Sequence, residues 1–217
     1  DSVRVVILTG AGKGFSAGFD ITPSNQSISS IQKWREHLTV GGADVQLRLW
    51  NLPKPVIAAV RGYAIGGGLD LTLLADFTIA SENAFFSAPE IRHISAPTFV
   101  LPFMIGIKKT KEFLLTGNRL SAKEAEEIGI VTRVVPDDKL EETVDELAHE
   151  LASIPPLSLA LNKVAINKAY EIMGFKSAID YGVEILTMLL SSPEANVFRD
   201  RAREIGLKAA LAERDQV

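Results

Sequence analysis

Two apolar runs in the first third of the chain predict buried β-strands that lead into glycines. Residues 3–9 and 54–60 are rich in valine, isoleucine or alanine, and glycine-rich segments follow each of them. Runs of this kind, closed by glycine, are typical of strands that enter tight turns. Three shorter strands are predicted at 77–80, 84–87 and 131–135. The second run continues into an apolar helix, which gives a unit of strand, glycine turn and helix.

Helical patterns separate these strands. A helix is predicted from Ile31 to about Leu52, after a polar loop at 22–30. Ser121 and Glu124 have the spacing of a capping box, in which each side chain binds the other residue's backbone N–H, so a short helix is expected to begin there.

After Pro136 the pattern becomes helical throughout. Apolar residues recur at helical spacing, at Leu140, Val144, Leu147 and Leu151. Further helices are predicted from Pro156, over 175–190, and from Ser192 to about Ala212. We therefore expect a strand-containing core over 1–136 and a helical region over 137–217. Because the sequence opens inside a predicted strand, we also expect that an N-terminal portion of the core is missing.

Composition and charge exclude several classes of protein. The chain has 217 residues, 47% of them hydrophobic and 23% charged, which is enough to bury a sizeable core. Its net charge of -4, without a basic stripe that carries aromatic residues, argues against nucleic acid as the main partner. No apolar run is long enough to span a bilayer, so we expect no membrane partner and a cytoplasmic location.

The side chains restrict the available chemistry further. The chain contains no cysteine, which excludes disulfides, thiolate metal sites and cysteine nucleophiles. Its three histidines, His37, His93 and His149, lack the spacing of metal ligands, so no metal site is expected. Any catalysis must therefore use oxygen and nitrogen groups.

The second glycine turn offers backbone donors. Gly67 and Gly68 are predicted to open a helix, where N–H groups have no acceptor within the helix and the helix dipole is positive. Such donors suit a negative charge that develops on oxygen, as in an enolate. Taken alone, each glycine turn is better explained by chain reversal.

Three segments, in order along the chain, share a recognisable pattern. Phe15-Ser16-Ala17-Gly18-Phe19-Asp20-Ile21 contains a small residue, Ala, Gly, any residue, Asp and an aliphatic residue. Residues 54–68 form a strand and a glycine turn, with acidic Asp70 close behind, and residues 85–90 form a strand that ends in Pro-Glu. Together these segments resemble the crotonase (enoyl-CoA hydratase/isomerase) family. The resemblance covers nearly the whole chain, including the segment at 115–135.

The resemblance implies an architecture and partners. The fold would be the α/β crotonase fold, a spiral of ββα units followed by a helical C-terminal region that associates into trimers or into hexamers made of two trimers. The partner would be an acyl-CoA substrate. Coenzyme A would be part of that substrate, and no separate cofactor is implied.

The resemblance also assigns roles to residues by position. The backbone amides of Ala17 and Gly67 would form an oxyanion hole for the thioester oxygen. Glu90 would be the principal acid/base and Asp70 its partner in adding water to a trans-2-enoyl-CoA, which gives a 3-hydroxyacyl-CoA. The residues that would border the CoA moiety are Ala17, Gly18, Phe19, Asp20 and Gly67.

Two departures from the family pattern keep other reactions open. Asp70 stands where hydratases have glutamate, and an aspartate there resembles the dienoyl-CoA isomerase pattern. That pattern has a further aspartate eight residues beyond Glu90, where this chain has Thr98. In addition, residues 91–97 lack the usual glycine. Double-bond isomerisation, or another acyl-CoA hydrolase or lyase reaction, is therefore the alternative to hydration.

Two further classes of protein were weighed. Gly14-Phe15-Ser16-Ala17-Gly18 matches the G-x-S-x-G pattern of serine hydrolases, but a glycine loop precedes Ser16 and a polar loop follows, where that elbow requires a strand and then a helix. The third glycine of a dinucleotide-binding G-x-G-x-x-G is replaced by Phe15. A catalytically inactive scaffold of the same fold is the non-enzyme alternative, and the two acidic positions argue against it.

Overall fold

Two small sheets form the centre of the protein, seen in a computed structural model that describes residues 2–22, 28, 30–93 and 99–215. The first sheet is parallel and its strands lie in the order β1 (Val6–Thr9), β2 (Val56–Val60), β4 (Phe77–Ser81) and β7 (Arg133–Val135). The second sheet has the order β3 (Tyr63–Ile65), β5 (Phe85–Ser87) and β6 (Arg119–Ser121), with β3 and β5 parallel and β6 antiparallel to β5.

Helices surround the sheets and form the C-terminal part of the chain. A π-helical turn, Thr39–Ala43, joins the first two helices, and a short 3-10 helix, Pro89–His93, follows β5. The helices in chain order are α1 (Ile31–Leu38), α2 (Asp44–Trp50), α3 (Gly67–Leu74), α4 (Leu101–Thr116), α5 (Ala122–Glu127), α6 (Leu140–Ser153), α7 (Pro156–Ile172), α8 (Phe175–Leu190), α9 (Glu194–Ile205) and α10 (Leu207–Arg214).

The chain passes from the first sheet to the second and then into a helix, and it repeats this path. The order β2, β3, α3 is followed by β4, β5, α4, so each turn of the spiral adds one strand to each sheet. Gly62 makes the corner between β2 and β3 at φ +66°, where a Cβ would lie 2.1 Å from the carbonyl oxygen of Lys13. This path confirms the predicted crotonase fold with its ββα spiral.

Strand β2 explains why the sequence there is almost continuously apolar. All five of its residues are buried, because Ala58 and Val60 pack in one hydrophobic cluster and Ile57 and Ala59 in another. A parallel sheet covered on both faces has no polar side. The second cluster includes Leu140, Val144 and Leu151 of α6, so the helical region packs on the strand core. The division at residue 136 stays a prediction.

The predicted strands and most of the predicted helices are present in the structure, which also contains elements that were not predicted. Strands β3 and β6 were not predicted, and the helix predicted to run from Ser192 to about Ala212 is two helices. Gly206 separates α9 from α10 at φ 87° and ψ 146°, a conformation that ends the helical path and that glycine adopts without a Cβ clash. The capping box of Ser121 and Glu124 is present at the start of α5.

Candidate active site

The loop after β1 is held against β3 by backbone hydrogen bonds. The N–H groups of Phe15 and Ser16 both donate to the carbonyl oxygen of Tyr63, at 2.9 and 3.1 Å, and Ile65 N–H donates to the Ser16 oxygen at 2.9 Å. Ser16 and Ala64 thereby form a parallel bridge. The residues that follow this loop are therefore fixed beside the turn that follows β3.

In each of the two glycine turns, the α-carbon of a glycine lies against the backbone of the other turn. Gly18 has φ +90°, and a Cβ built on it would lie 2.8 Å from the Ile65 oxygen and 3.0 Å from the Gly67 nitrogen. A Cβ on Gly68 would lie 2.6 Å from the Ser16 oxygen. Only glycine permits this approach, which brings the backbone around Ala17 next to the start of α3.

Two N–H groups at this contact have no hydrogen-bond acceptor in the described part of the chain. Gly67 is the first residue of α3, so its N–H has no acceptor within the helix. For Ala17, no acceptor occurs among the described residues either, whereas the next N–H, that of Gly18, donates to the Ser16 Oγ at 3.2 Å. These two N–H groups thus belong to two turns that are in direct contact.

Ser16 does not have the geometry of a nucleophile elbow. It lies in the bridge to Ala64, and its Oγ accepts a hydrogen bond from Gly18. Residues 17–22 form no helix. Ser16 therefore lacks the strand, sharp turn and immediate helix of that elbow.

The carboxylate of Glu90 lies against Gly66, the residue before the second donor. Glu90 belongs to the 3-10 helix after β5, and Gly66 N–H donates to the carbonyl oxygen of Ser87 at the end of β5, at 3.0 Å. A Cβ built on Gly66 would lie 1.8 Å from Glu90 Oε1. The pairing of β3 with β5 therefore places Glu90 beside the turn that follows β3.

The environment of Glu90 raises its pKa to about 7, mainly because its half-buried carboxylate is poorly solvated. A hydrogen bond from its own backbone lowers the pKa, the negative charge of Asp70 raises it, and the positive charge of Arg214 lowers it. A carboxyl group that titrates near neutral pH is suited to take up and release a proton.

Asp70 lies one turn into α3 and is half-buried. Its backbone N–H donates to the Gly66 oxygen at 3.1 Å, the first hydrogen bond of the helix. Its Oδ2 accepts a hydrogen bond from the side-chain amide of Gln46 on α2, at 3.0 Å. Its negative charge acts on Glu90, so the two carboxylates lie within electrostatic range of each other.

Phe19 and Asp20 continue the first turn outward. The ring of Phe19 lies over Gly67, where a Cβ would be 2.9 Å from Phe19 Cδ2, and the residue is 54% exposed. Asp20 is exposed, and hydrogen bonds from the side chain and backbone of Thr22 lower the pKa of its carboxyl group. Phe19 is therefore part of the site wall, and Asp20 lies at its outer edge.

Two side chains near Glu90 and Asp70 were not predicted from the sequence. One is Gln46, and the other is Arg214 at the end of α10, which forms an ion pair with Asp215 at 2.7 Å. Asp215 lies 4.0 Å from Arg92, which belongs to the same 3-10 helix as Glu90. No motif marks either residue, because both reach the site through long-range packing.

Some predicted features fall outside the description. Residues 94–98, which include Thr98, lie outside the described residues, and of His93 only the backbone is described. Within the described ranges, no group of three or more His, Cys, Asp or Glu side chains is arranged to hold a metal ion. The helices of the described residues are all too short or too polar to cross a membrane.

Comparison with known proteins gives concordant matches. The family described as enoyl-CoA hydratase/isomerase matches residues 1–197. A crystal structure of an enoyl-CoA hydratase/isomerase from Xanthobacter autotrophicus Py2 superimposes with a TM-score of 0.91 at 37% sequence identity, covering 100% of this chain and 82% of that one.

Two curated relatives are matched over a smaller share of their own length. "Probable enoyl-CoA hydratase, mitochondrial" of Dictyostelium discoideum is 39% identical over 174 residues, 78% of this chain and 61% of the relative. Carnitinyl-CoA dehydratase of Salmonella typhi is 40% identical over 166 residues, 74% of this chain and 62% of the relative. The chain thus spans about three fifths of the length of these relatives.

Proposed function

Because the chain belongs to the enoyl-CoA hydratase/isomerase family, we propose that it adds water to a trans-2-enoyl-CoA and gives a 3-hydroxyacyl-CoA. The observation that carries this proposal is the contact of the Glu90 carboxylate with Gly66, directly before the Gly67 donor. A group that can exchange a proton at neutral pH thus lies beside a site for a thioester oxygen.

The proposed reaction uses the backbone and two carboxylates. The thioester oxygen accepts hydrogen bonds from the N–H groups of Ala17 and Gly67 and holds the negative charge of the enolate. Ionised Glu90 takes a proton from water as the water oxygen bonds to the β-carbon, and it then delivers a proton to the α-carbon. Asp70 orients the water. All atoms of the water molecule end up in the product.

The CoA moiety would lie along the first turn. The backbone of Ala17, Gly18, Phe19 and Asp20, together with Gly67, borders it in this proposal. Phe19 supports the assignment, since its exposed ring lies directly over Gly67 and can cover the thioester end of a ligand. CoA is part of the substrate, and no separate cofactor is required. A cytoplasmic location stays a prediction.

The direct test is loss of the absorbance of the conjugated enoyl thioester when crotonyl-CoA meets the protein. We expect rapid loss with the unsubstituted protein and much slower loss with Asp70→Asn. Asp138→Asn, an exposed carboxylate outside the site, is the matched control and should react normally. Tight binding of crotonyl-CoA without absorbance loss would contradict hydration of short enoyl chains.

Double-bond isomerisation is the second candidate, because Asp70 stands where hydratases have the longer glutamate. In that reaction the same enolate forms by loss of a proton from carbon, and a proton is returned at another position without addition of water. The products differ, since isomerisation leaves no 3-hydroxyl group. NMR spectra of the products from 2-enoyl-CoA and 3-enoyl-CoA would therefore distinguish the two reactions.

The raised pKa of Glu90 predicts a pH dependence. We expect kcat/KM for crotonyl-CoA to increase with pH through about 7, because Glu90 must be ionised to take a proton from water. Replacing Arg214 by methionine removes a positive charge that lowers this pKa, so the midpoint should move to higher pH. Arg203→Met, which removes an exposed arginine paired with Asp200, is the control and should leave the midpoint unchanged. A flat profile in all three proteins would contradict the role of Glu90.

Helix α7 supports the proposal that the protein associates with further copies of itself as a trimer or hexamer. No residue of α7, which is described along its whole length, is buried. Its strongly exposed apolar residues are Leu157, Leu161, Val164, Ile166 and Ile172. Such a helix needs an apolar partner in water.

Light scattering should give the mass of a trimer or a hexamer. The double substitution Leu161→Glu with Val164→Glu should reduce the mass of the assembly, whereas Lys123→Glu, at an exposed position on α5, should not. A monomeric unsubstituted protein would contradict the proposal.

A further inference from the structure

Gln46 contacts Asp70, one of the two proposed acid/base residues, from a helix that the family motifs do not include. Its Nε2 lies 3.0 Å from Asp70 Oδ2, and the two residues are 24 positions apart in the sequence. Both side chains are half-buried, between α2 and α3. The contact is therefore a specific link between two helices, with an uncharged donor on one side and a carboxylate on the other.

The π-helical turn Thr39–Ala43 contributes to this placement. It joins α1 to α2 without a break in the helical path, and a π-helical turn accommodates about one more residue than an α-helical turn. One added residue rotates every following side chain by roughly 100° about the helix axis. Gln46 follows three residues after this turn, so the turn decides which side of α2 faces Asp70.

We propose that Gln46 is a positioning residue that holds the carboxylate of Asp70 in its working orientation, an inference that rests on the proposed hydration or isomerisation at this site. An aspartate that replaces a longer glutamate has a shorter reach, so its rotamer must be defined for it to act on water or on a carbon-bound proton. A hydrogen bond from Gln46 to one carboxylate oxygen restricts Asp70 to one rotamer.

The amide of Gln46 orients Asp70 without neutralising it. A lysine or arginine at this position would bring a positive charge beside the two acids. Burial is the main cause of the raised pKa of Glu90, and with glutamine at position 46 the charge of Asp70 continues to add to it. The two carboxylates thus stay chemically different, one of them held by Gln46 and the other lying against Gly66.

The test compares Gln46→Met with Gln32→Met. Methionine matches glutamine in length and helix propensity but cannot donate a hydrogen bond, and Gln32 is an exposed glutamine on α1. With crotonyl-CoA, or with the 3-enoyl-CoA if the protein is an isomerase, we expect Gln46→Met to lower kcat by about ten- to a hundredfold while KM changes less than about twofold. Gln32→Met should keep both constants.

A double-mutant cycle with Asp70→Asn separates positioning from general damage. If Gln46 acts through Asp70, adding Gln46→Met to Asp70→Asn should cause little further loss of kcat. Equal losses in both backgrounds, or a normal kcat for Gln46→Met beside an impaired Asp70→Asn, would overturn the role of Gln46 and leave the proposed function intact. If the unsubstituted protein turns over neither substrate, the proposed function itself fails, and this role fails with it.

Discussion

Replacing Glu90 by glutamine should abolish nearly all turnover of crotonyl-CoA and at the same time make the protein more stable above neutral pH. The expected loss of kcat is about 10²- to 10⁴-fold, the usual contribution of a general acid/base. Glutamine has the same shape as glutamate, so binding of the CoA thioester should persist. Steady-state kinetics and calorimetric binding measure the two effects separately.

The gain in stability follows from the raised pKa of Glu90. Its carboxyl titrates at about 7 in the folded protein and at 4.5 in the reference state, so the folded protein holds the proton more tightly. The free energy of unfolding therefore falls as the pH rises from about 4.5 to 7, and the full cost, about 3 kcal/mol, is present above pH 7. Glutamine does not ionise and avoids this cost.

Urea denaturation at pH 8 and at pH 4 tests the effect on stability. Glu90→Gln should exceed the unsubstituted protein in unfolding free energy at pH 8, and the difference should vanish near pH 4. Glu82→Gln, at an exposed glutamate after β4, is the control and should show no such difference. An equal stability at both pH values would mean that the carboxylate of Glu90 is well solvated.

Replacing Gly66 by alanine should impair turnover almost as strongly, although no acid or base is replaced. Gly66 has φ 54° and ψ -122°, and an alanine Cβ there would lie 1.8 Å from Glu90 Oε1. The carboxylate must move away, and the backbone is strained as well. Since a displacement of about 1 Å at a reacting group can cost about a hundredfold, we expect a loss of kcat of that order or more.

Gly12→Ala is the matched control for this prediction. Gly12 lies in the first glycine loop, has no atom within 4 Å of a built Cβ and does not have a positive φ. Its substitution should leave kcat near normal. A Gly66→Ala protein with normal kcat would show that the proton exchange does not depend on the present position of Glu90, which would contradict the mechanism proposed for this site.

The sequence predicts those parts of the fold that are encoded by local patterns. β2 is readable because every one of its side chains is buried, and α6 because its buried residues recur at helical spacing. β3 lies inside the glycine-rich segment 62–68, and β6 contains a single apolar residue, Leu120, so neither shows a strand pattern. Their pairing with β5 is what makes them strands. The end of α9 at Gly206 was not predicted, because the charged residues on both sides of Gly206 suit a helix.

The candidate site divides in the same way. The contact of Gly18 with Gly67 was expected only through the resemblance, because neither glycine turn shows on its own that it meets the other. The approach of Glu90 to Gly66 required the resemblance, since it depends on how β3 pairs with β5. Gln46 and Arg214 lie on α2 and α10, and their place beside the acids depends on helix packing that no local pattern encodes.

Ser16 pairs with Ala64 in a parallel bridge. The position of the Ala17 N–H relative to the Gly67 N–H therefore depends on the length of the loop between β1 and Ser16. Most substitutions of Ala17 keep its N–H, because the donor belongs to the backbone. Deleting one residue between β1 and Ser16 would instead shift the chain along β3 by about 3.3 Å and would separate Ala17 from Gly67. Position 17 should thus tolerate most changes of residue type, whereas the loop before it should not tolerate insertions or deletions, so related sequences should align there without gaps.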